Sequence, residues 1–142
     1  MQISARNVFT GKISALKNGA VNAEVELTTT GGDKIVAIVT EGSVEALGLA
    51  VGKDAVAVVK APWVMLLAGE SNVRFSARNQ MSGTVSALTK GAVNSEVALT
   101  LTGGSVVYAV VTNEAVLELG LAVGATATAL IKSSHVVLGV SA

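Results

Sequence analysis

Cysteine is absent from this chain, so disulfides and thiolate-held metals are excluded, and the absence agrees with a reducing compartment. Aromatic residues make up only 3% and there is a single proline, so large ring anchors contribute little to any core. Charge is scarce and balanced, with ten Lys+Arg against ten Asp+Glu, which leaves no net field to attract a polyanion. No long membrane-type run exists. The longest uncharged stretch, between Glu96 and Glu114, is broken by Gly103-Gly104 and mixed with Thr and Ser, which suits two strands and a turn. Met1-Gln2-Ile3-Ser4-Ala5-Arg6-Asn7 lacks the basic-then-apolar profile of a secretory signal. A soluble, cytoplasmic protein with no membrane contact is expected.

What is present is small and β-branched. Hydrophobic residues reach 51%, carried by Ala and Val, beside 15 glycines. This composition favours short strands joined by tight turns. A positive mean hydropathy with few charges is unusual for so small a chain, and modules this size seldom bury enough core to stand alone. Part of the Ala/Val surface is therefore expected to lie between subunits.

An internal repeat sets the architecture. Ser4-Ala5-Arg6-Asn7 returns as Ser76-Ala77-Arg78-Asn79, and Gly19-Ala20-Val21-Asn22 as Gly91-Ala92-Val93-Asn94. Leu47-Gly48-Leu49-Ala50-Val51-Gly52 returns intact at 119–124. Residues 4–66 align with 76–138 without a gap, and just over half the positions are identical. The expected organisation is one module over 1–68, a small polar linker over 69–75 and a second module over 76–142.

Each module reads as strand, strand, strand, helix, strand, strand. In the first, 8–16 is a strand closed by the Asn18-Gly19 turn, and 21–29 alternates apolar and polar residues as a half-buried strand does. Gly31-Gly32 makes the next turn and 35–39 a short buried strand. Thr40 caps one or two helical turns that stop before Gly48, and 55–59 and 64–67 complete the set. Five strands with a helix between the third and fourth predict an all-β chain of tandem OB-type five-stranded barrels.

Catalytic constellations are scarce, so an enzyme is not expected. His135 is the only histidine and stands in one repeat; a structural or solvated role fits it better than a shared base. Glu24 and Glu96 recur, but on the polar face of an alternating strand, where solvation or ion pairing is expected. Phosphate-loop and dinucleotide fingerprints are missing. What recurs is cationic and hydroxylic: Arg6/Arg78, Lys60/Lys132, Ser4/Ser76, and Thr40/Thr112 at the heads of the helices. Ser and Arg two apart on an extended segment point the same way. Forked Arg donors, a compact Lys charge and a helix amino terminus together suit a tetrahedral dianion. The alternative is that these cations simply pair with surface carboxylates.

Ser-Ala-Arg-Asn, the glycine at Gly11 or Gly83, Gly-Ala-Val-Asn-x-Glu-Val and the later Val-Thr cap resemble the molbindin (Mop) family across both repeats. The resemblance implies intracellular binding of molybdate or tungstate for storage, buffering or homeostasis, with no cofactor besides that ligand, in a homotrimer. It also implies two classes of site. One, between modules, would use Ser4, Arg6, Thr40, Ser43 and Lys60, and equally Ser76, Arg78, Thr112, Lys132 and Ser133. The other, near the threefold axis, would use Gly19, Val21 and Asn22 with Gly91, Val93 and Asn94. Ser43 aligns with Ala115, and Ala61-Pro62-Trp63 with Ser133-Ser134-His135, so the two halves are expected to bind unequally. Two other readings compete. A single-strand-binding OB protein would need a basic groove with stacking aromatics, and the composition argues against it. A molybdate-sensing module acting through a separate partner protein is the closer alternative.

Overall fold

The computed structural model describes residues 1–69 and 71–142; Glu70, inside the expected linker, lies outside the described residues. The first repeat forms β1 (Asn7–Asn18), β2 (Asn22–Thr29), β3 (Lys34–Thr40), α1 (Glu41–Leu47), β4 (Asp54–Val59) and β5 (Met65–Ala68). The second forms β6 (Asn79–Lys90), β7 (Asn94–Leu101), β8 (Val106–Thr112), α2 (Asn113–Leu119), β9 (Thr126–Ile131) and β10 (Val137–Gly139). Single 3-10 turns, Ala61–Trp63 and Ser133–His135, precede β5 and β10. The elements expected from the sequence are all present, and these two turns are additions. Among the described residues, no helix is long and apolar enough to cross a membrane.

The long first strand of each repeat must bend to serve two neighbours. Its pairing with the second strand jumps from Ile13↔Leu27 to Ala15↔Glu26, leaving Ser14 as a bulge, and the same jump recurs around Ser86. A bulge bends and twists a strand, which lets the sheet curl. The Ser14 hydroxyl meets the Glu26 carboxylate at 2.8 Å and the Thr28 hydroxyl at 2.7 Å, so the extra residue does not stay unpaired. Gly11 lies so close to the Thr28 carbonyl that any Cβ would collide with it, and Gly83 faces Thr100 in the same way. Alternation then decides the faces: Ala23, Val25 and Leu27 are buried, while Glu24, Glu26 and Thr28 lie half-exposed on the other side. Each helix is capped by its threonine and stopped by a left-handed glycine, Gly48 (φ 61°) or Gly120 (φ 62°). Val44 and Leu47 pack on the core, and Leu49 is buried behind them.

The sheets do not follow the sequence boundary between the repeats. Their strand orders are β10-β4-β1-β2-β3 and β5-β9-β6-β7-β8. Each repeat thus supplies four strands of one sheet and the fifth strand of the other. β5 runs antiparallel to β9 from Met65↔Leu130 to Ala68↔Ala127, and β10 pairs with β4 from Val137↔Val58 to Gly139↔Val56. The expectation that 64–67 would complete the first module is corrected here: the strand forms, but in the other sheet. The 3-10 turns carry the crossing, with Ala61–Trp63 packed on β8 and Ser133–His135 on β3. Apolar residues of both repeats join in one core, including Ile13, Leu27, Ile35 and Val59 with Val85, Leu99, Val107 and Ile131.

Candidate functional site

The Ser-x-Arg-Asn segments enter their strands already fastened to the opposite repeat. Asn7 is fully buried, and its amide donates to the Tyr108 carbonyl (2.8 Å) while its oxygen accepts the Tyr108 N–H (2.7 Å). Asn79 does the same to Val36, at 2.8 and 2.7 Å. A side-chain amide therefore imitates a strand partner, satisfying backbone groups of β8 and β3 that would otherwise be buried unpaired.

These latches place each arginine against the other repeat. Arg6 donates through Nε (3.1 Å) and Nη2 (2.7 Å) to the two oxygens of Glu96, and its guanidinium lies 4.3 Å from the centre of the Tyr108 ring. Arg78 donates through Nη2 to Glu24 at 2.5 Å. The Glu96 bond raises the Arg6 pKa above its ordinary value, and the same bond holds Glu96 below the usual carboxylate range against the opposing effect of partial burial.

Around Arg78 the expected donors converge. Ser76, Arg78, Lys132 and Ser133 line one cleft of about 250 Å³, floored by Met65, Phe75 and Leu130. Ser133 is buried there, whereas its aligned residue in the first repeat, Ala61, has no hydroxyl. The helix caps lie elsewhere. Thr40 and Ser43 share a second cleft with Asn22 and with Ser134 of the opposite repeat's 3-10 turn. Thr40 Oγ accepts the Ser43 N–H at 3.1 Å and donates to the Ser43 hydroxyl at 2.9 Å; Thr112 accepts from Ala115 N at 3.0 Å. Neither Thr40 nor Thr112 lines the cleft of Ser76, Arg78, Lys132 and Ser133. Asn22 pairs with Thr40 and lines the same cleft, while its carbonyl lies against Gly19 of the turn that precedes it. Lys60 is exposed, with its ammonium 5.7 Å from the Trp63 ring, and Trp63 packs against His135 with centroids 4.9 Å apart and planes tilted by 40°.

The Gly-Ala-Val-Asn turns stand outermost, with Val21 and Val93 among the most exposed apolar residues. Their amides differ. Gly19 N–H donates to the Glu41 carboxylate at 3.1 Å, while Gly91 N–H donates to the Asn94 carbonyl at 2.8 Å. Asn113, aligned with Glu41, donates to the Gly91 carbonyl at 2.9 Å and accepts from Ser95 at 2.5 Å. Among the described residues, no group of His, Cys, Asp or Glu side chains is arranged to hold a metal cation.

The profile of the TOBE domain matches this chain twice, over residues 3–66 and 76–138. The chain belongs to the TOBE-domain family. Its two TOBE units align with longer proteins. It is 45% identical over 138 residues to the molybdenum-pterin-binding protein MopA of Rhodobacter capsulatus, covering 97% of this chain and 52% of that protein. It is 44% identical over 140 residues to the molybdenum transport protein ModE of Herbaspirillum seropedicae, covering 99% and 52%. The TOBE pair thus spans about half the length of these relatives. Its fold matches the cytoplasmic molybdate-binding protein ModG, in a crystal form with molybdate bound, with a TM-score of 0.95 and 58% identity over 99% of this chain and 100% of that one.

Glu24 and Glu96, expected from the sequence to be solvated or ion-paired, pair with Arg78 and Arg6, as the alternative reading of these cations anticipated. Sequence reasoning missed the asparagine latches, although Asn7 and Asn79 recur at matching positions. Tyr108 left no signal, since it is the lone tyrosine and aligns with Val36.

Proposed function

We propose that this TOBE pair binds molybdate or tungstate reversibly inside the cell, as a store or buffer rather than as an enzyme. The observation that carries the reading is the end-to-end likeness to ModG, a molybdate-binding protein of the same two-unit length. The cleft of Ser76, Arg78, Lys132 and Ser133 supplies suitable chemistry, because hydroxyl, guanidinium and ammonium donors can surround an anion that only accepts hydrogen bonds. Ser4, Arg6 and Lys60 form the corresponding group of the first repeat, and Thr40, Ser43 and Thr112 come from neighbouring copies. Exposed Val21, Val51, Val93, Val123 and Leu117 provide apolar surface for a homotrimer that would bring such caps to the arginines, and the turns at Gly19 and Gly91 to one axis.

Selection against sulfate rests on size, since both anions are dianions. Donors held apart for longer metal–oxygen bonds leave a smaller ion imperfectly paired. Isothermal titration with molybdate, with matched sulfate and phosphate controls, tests the reading. Saturable uptake of more than one molybdate per chain, retained in excess sulfate, is expected; a flat molybdate titration refutes it. A second reading, a sensing module that acts through a separate partner, draws support from the twofold greater length of the ModE and MopA relatives. Molybdate-dependent capture of a protein partner would favour it over storage.

A further inference from the structure

The two arginines share a latch but not a clamp. A guanidinium carries five N–H donors in a rigid plane. Arg6 spends its Nε and one Nη2 hydrogen on both oxygens of Glu96, and the plane faces the Tyr108 ring. The next residue, Asn7, is bonded to the backbone of that same tyrosine. Edge, face and main chain are therefore all fixed, and the two Nη1 hydrogens and one on Nη2 are left for a ligand. Arg78 has the equivalent latch through Asn79 on Val36, but a single Nη2 bond to Glu24, with an aliphatic side chain where the ring would stand. One bond lets the fork swing.

We infer that Glu96 and Tyr108 are positioning residues that hold Arg6 rigid, making the Arg6 site the more size-selective of two unequal anion sites. The inference rests on the oxyanion-binding function proposed above. Rigid donors cannot follow a smaller ion inward, whereas a swinging guanidinium can close on sulfate as well as on molybdate. Tyr108 thus acts on selectivity through Arg6 without touching the ligand.

The variants come from the protein itself, because Val already occupies the aligned position in the first repeat and is compatible with the Asn latch. Titration of the full chain with molybdate, in the presence and absence of excess sulfate, is compared for wild type, Tyr108→Val and Val36→Tyr. In wild type, sulfate should suppress one class of sites and spare the other. Tyr108→Val should weaken the discrimination of the spared class by roughly three- to tenfold, the scale of one cation–π contact. Val36→Tyr should make the suppressed class resist sulfate. Unchanged sulfate sensitivity in both variants, or an equal change at both classes, overturns the inference. Glu96→Gln should likewise erode discrimination; a uniform gain of affinity for every anion would show Glu96 to be a competitor, and overturn the clamp.

A second readout is independent of molybdate. The chain has only three arginines, so the Nε–H NMR signals of the anion-free protein are few. The Arg6 signal should exchange slowly with water and carry a ring-current shift that Tyr108→Val removes, while Arg78 exchanges quickly. Equal exchange at Arg6 and Arg78 refutes the clamp whatever the protein binds. A clamp signature without molybdate uptake refutes the binding function instead, and the selectivity claim with it.

Discussion

The two repeats share a backbone and differ in how they spend charge. In the first, Lys12 pairs with Asp54 at 2.7 Å and Lys34 with Glu26 at 3.6 Å. Lys53 donates to the Leu47 and Gly48 carbonyls at the end of α1, at 2.7 and 3.2 Å. Asp33 accepts the Gly103 and Ser105 N–H groups at 2.9 and 3.0 Å. The aligned residues of the second repeat are Thr84, Thr126, Val106, Ala98, Ala125 and Ser105, none of them charged. Both halves reach the same strand order. The fold is therefore carried by what they share: buried alternation, bulge serines, turn glycines and the asparagine latch. Exposed ion pairs contribute little and can be exchanged for neutral groups.

The largest effect is expected where the halves agree. Asn7→Leu and Asn79→Leu each leave a buried N–H and C=O without partners, so each should cost about 2–5 kcal/mol in urea unfolding, with similar losses in the two variants. A loss at one position only would show that the latch is not shared. Next come the arginines. Under the oxyanion-binding function proposed above, Arg6→Ala and Arg78→Ala should each remove charge-assisted bonds to the anion, worth about 1.5–3 kcal/mol, and titration should register the loss in different site classes. Melting temperature without anion should fall only slightly, since both side chains are about half exposed and their ion pairs contribute little.

A smaller effect separates Glu96 through pH. Its pKa is lowered in the folded protein, chiefly by the bond from Arg6. Its contribution is complete above the ordinary carboxylate range and disappears as pH falls through the lower folded value. The urea midpoints of wild type and Glu96→Gln should therefore differ at neutral pH and converge in acid; a gap constant with pH would refute the ion pair as its source. The smallest effect concerns Lys12 and Asp54, whose side chains are 67% and 81% exposed. Replacing both by Thr, as at positions 84 and 126, should shift stability by less than about 0.5 kcal/mol. A larger loss would mean that charge matters more to the first repeat than the second repeat's neutrality suggests.

Much of the fold is legible in the order of the residues alone. Period-two alternation in 21–29 predicts the buried face of β2, because successive side chains leave a strand on opposite sides. Thr40 and Gly48 mark the helix ends, because only a side-chain acceptor and a left-handed residue satisfy those backbone groups cheaply. The Ser-x-Arg spacing singles out Arg6 and Arg78; Ser76, Arg78, Lys132 and Ser133 line one cleft, while Thr40 lies in another. What tertiary structure alone decided was partnership. Periodicity says which face of a strand is buried but not which strand lies beside it. The aligned edges of β4 and β9 offer β5 and β10 nearly the same ladder, so only the paths through Ala61–Trp63 and Ser133–His135 determine the exchange. For the same reason Glu96 and Tyr108 act on Arg6 across about a hundred residues of chain, a proximity that no local pattern encodes.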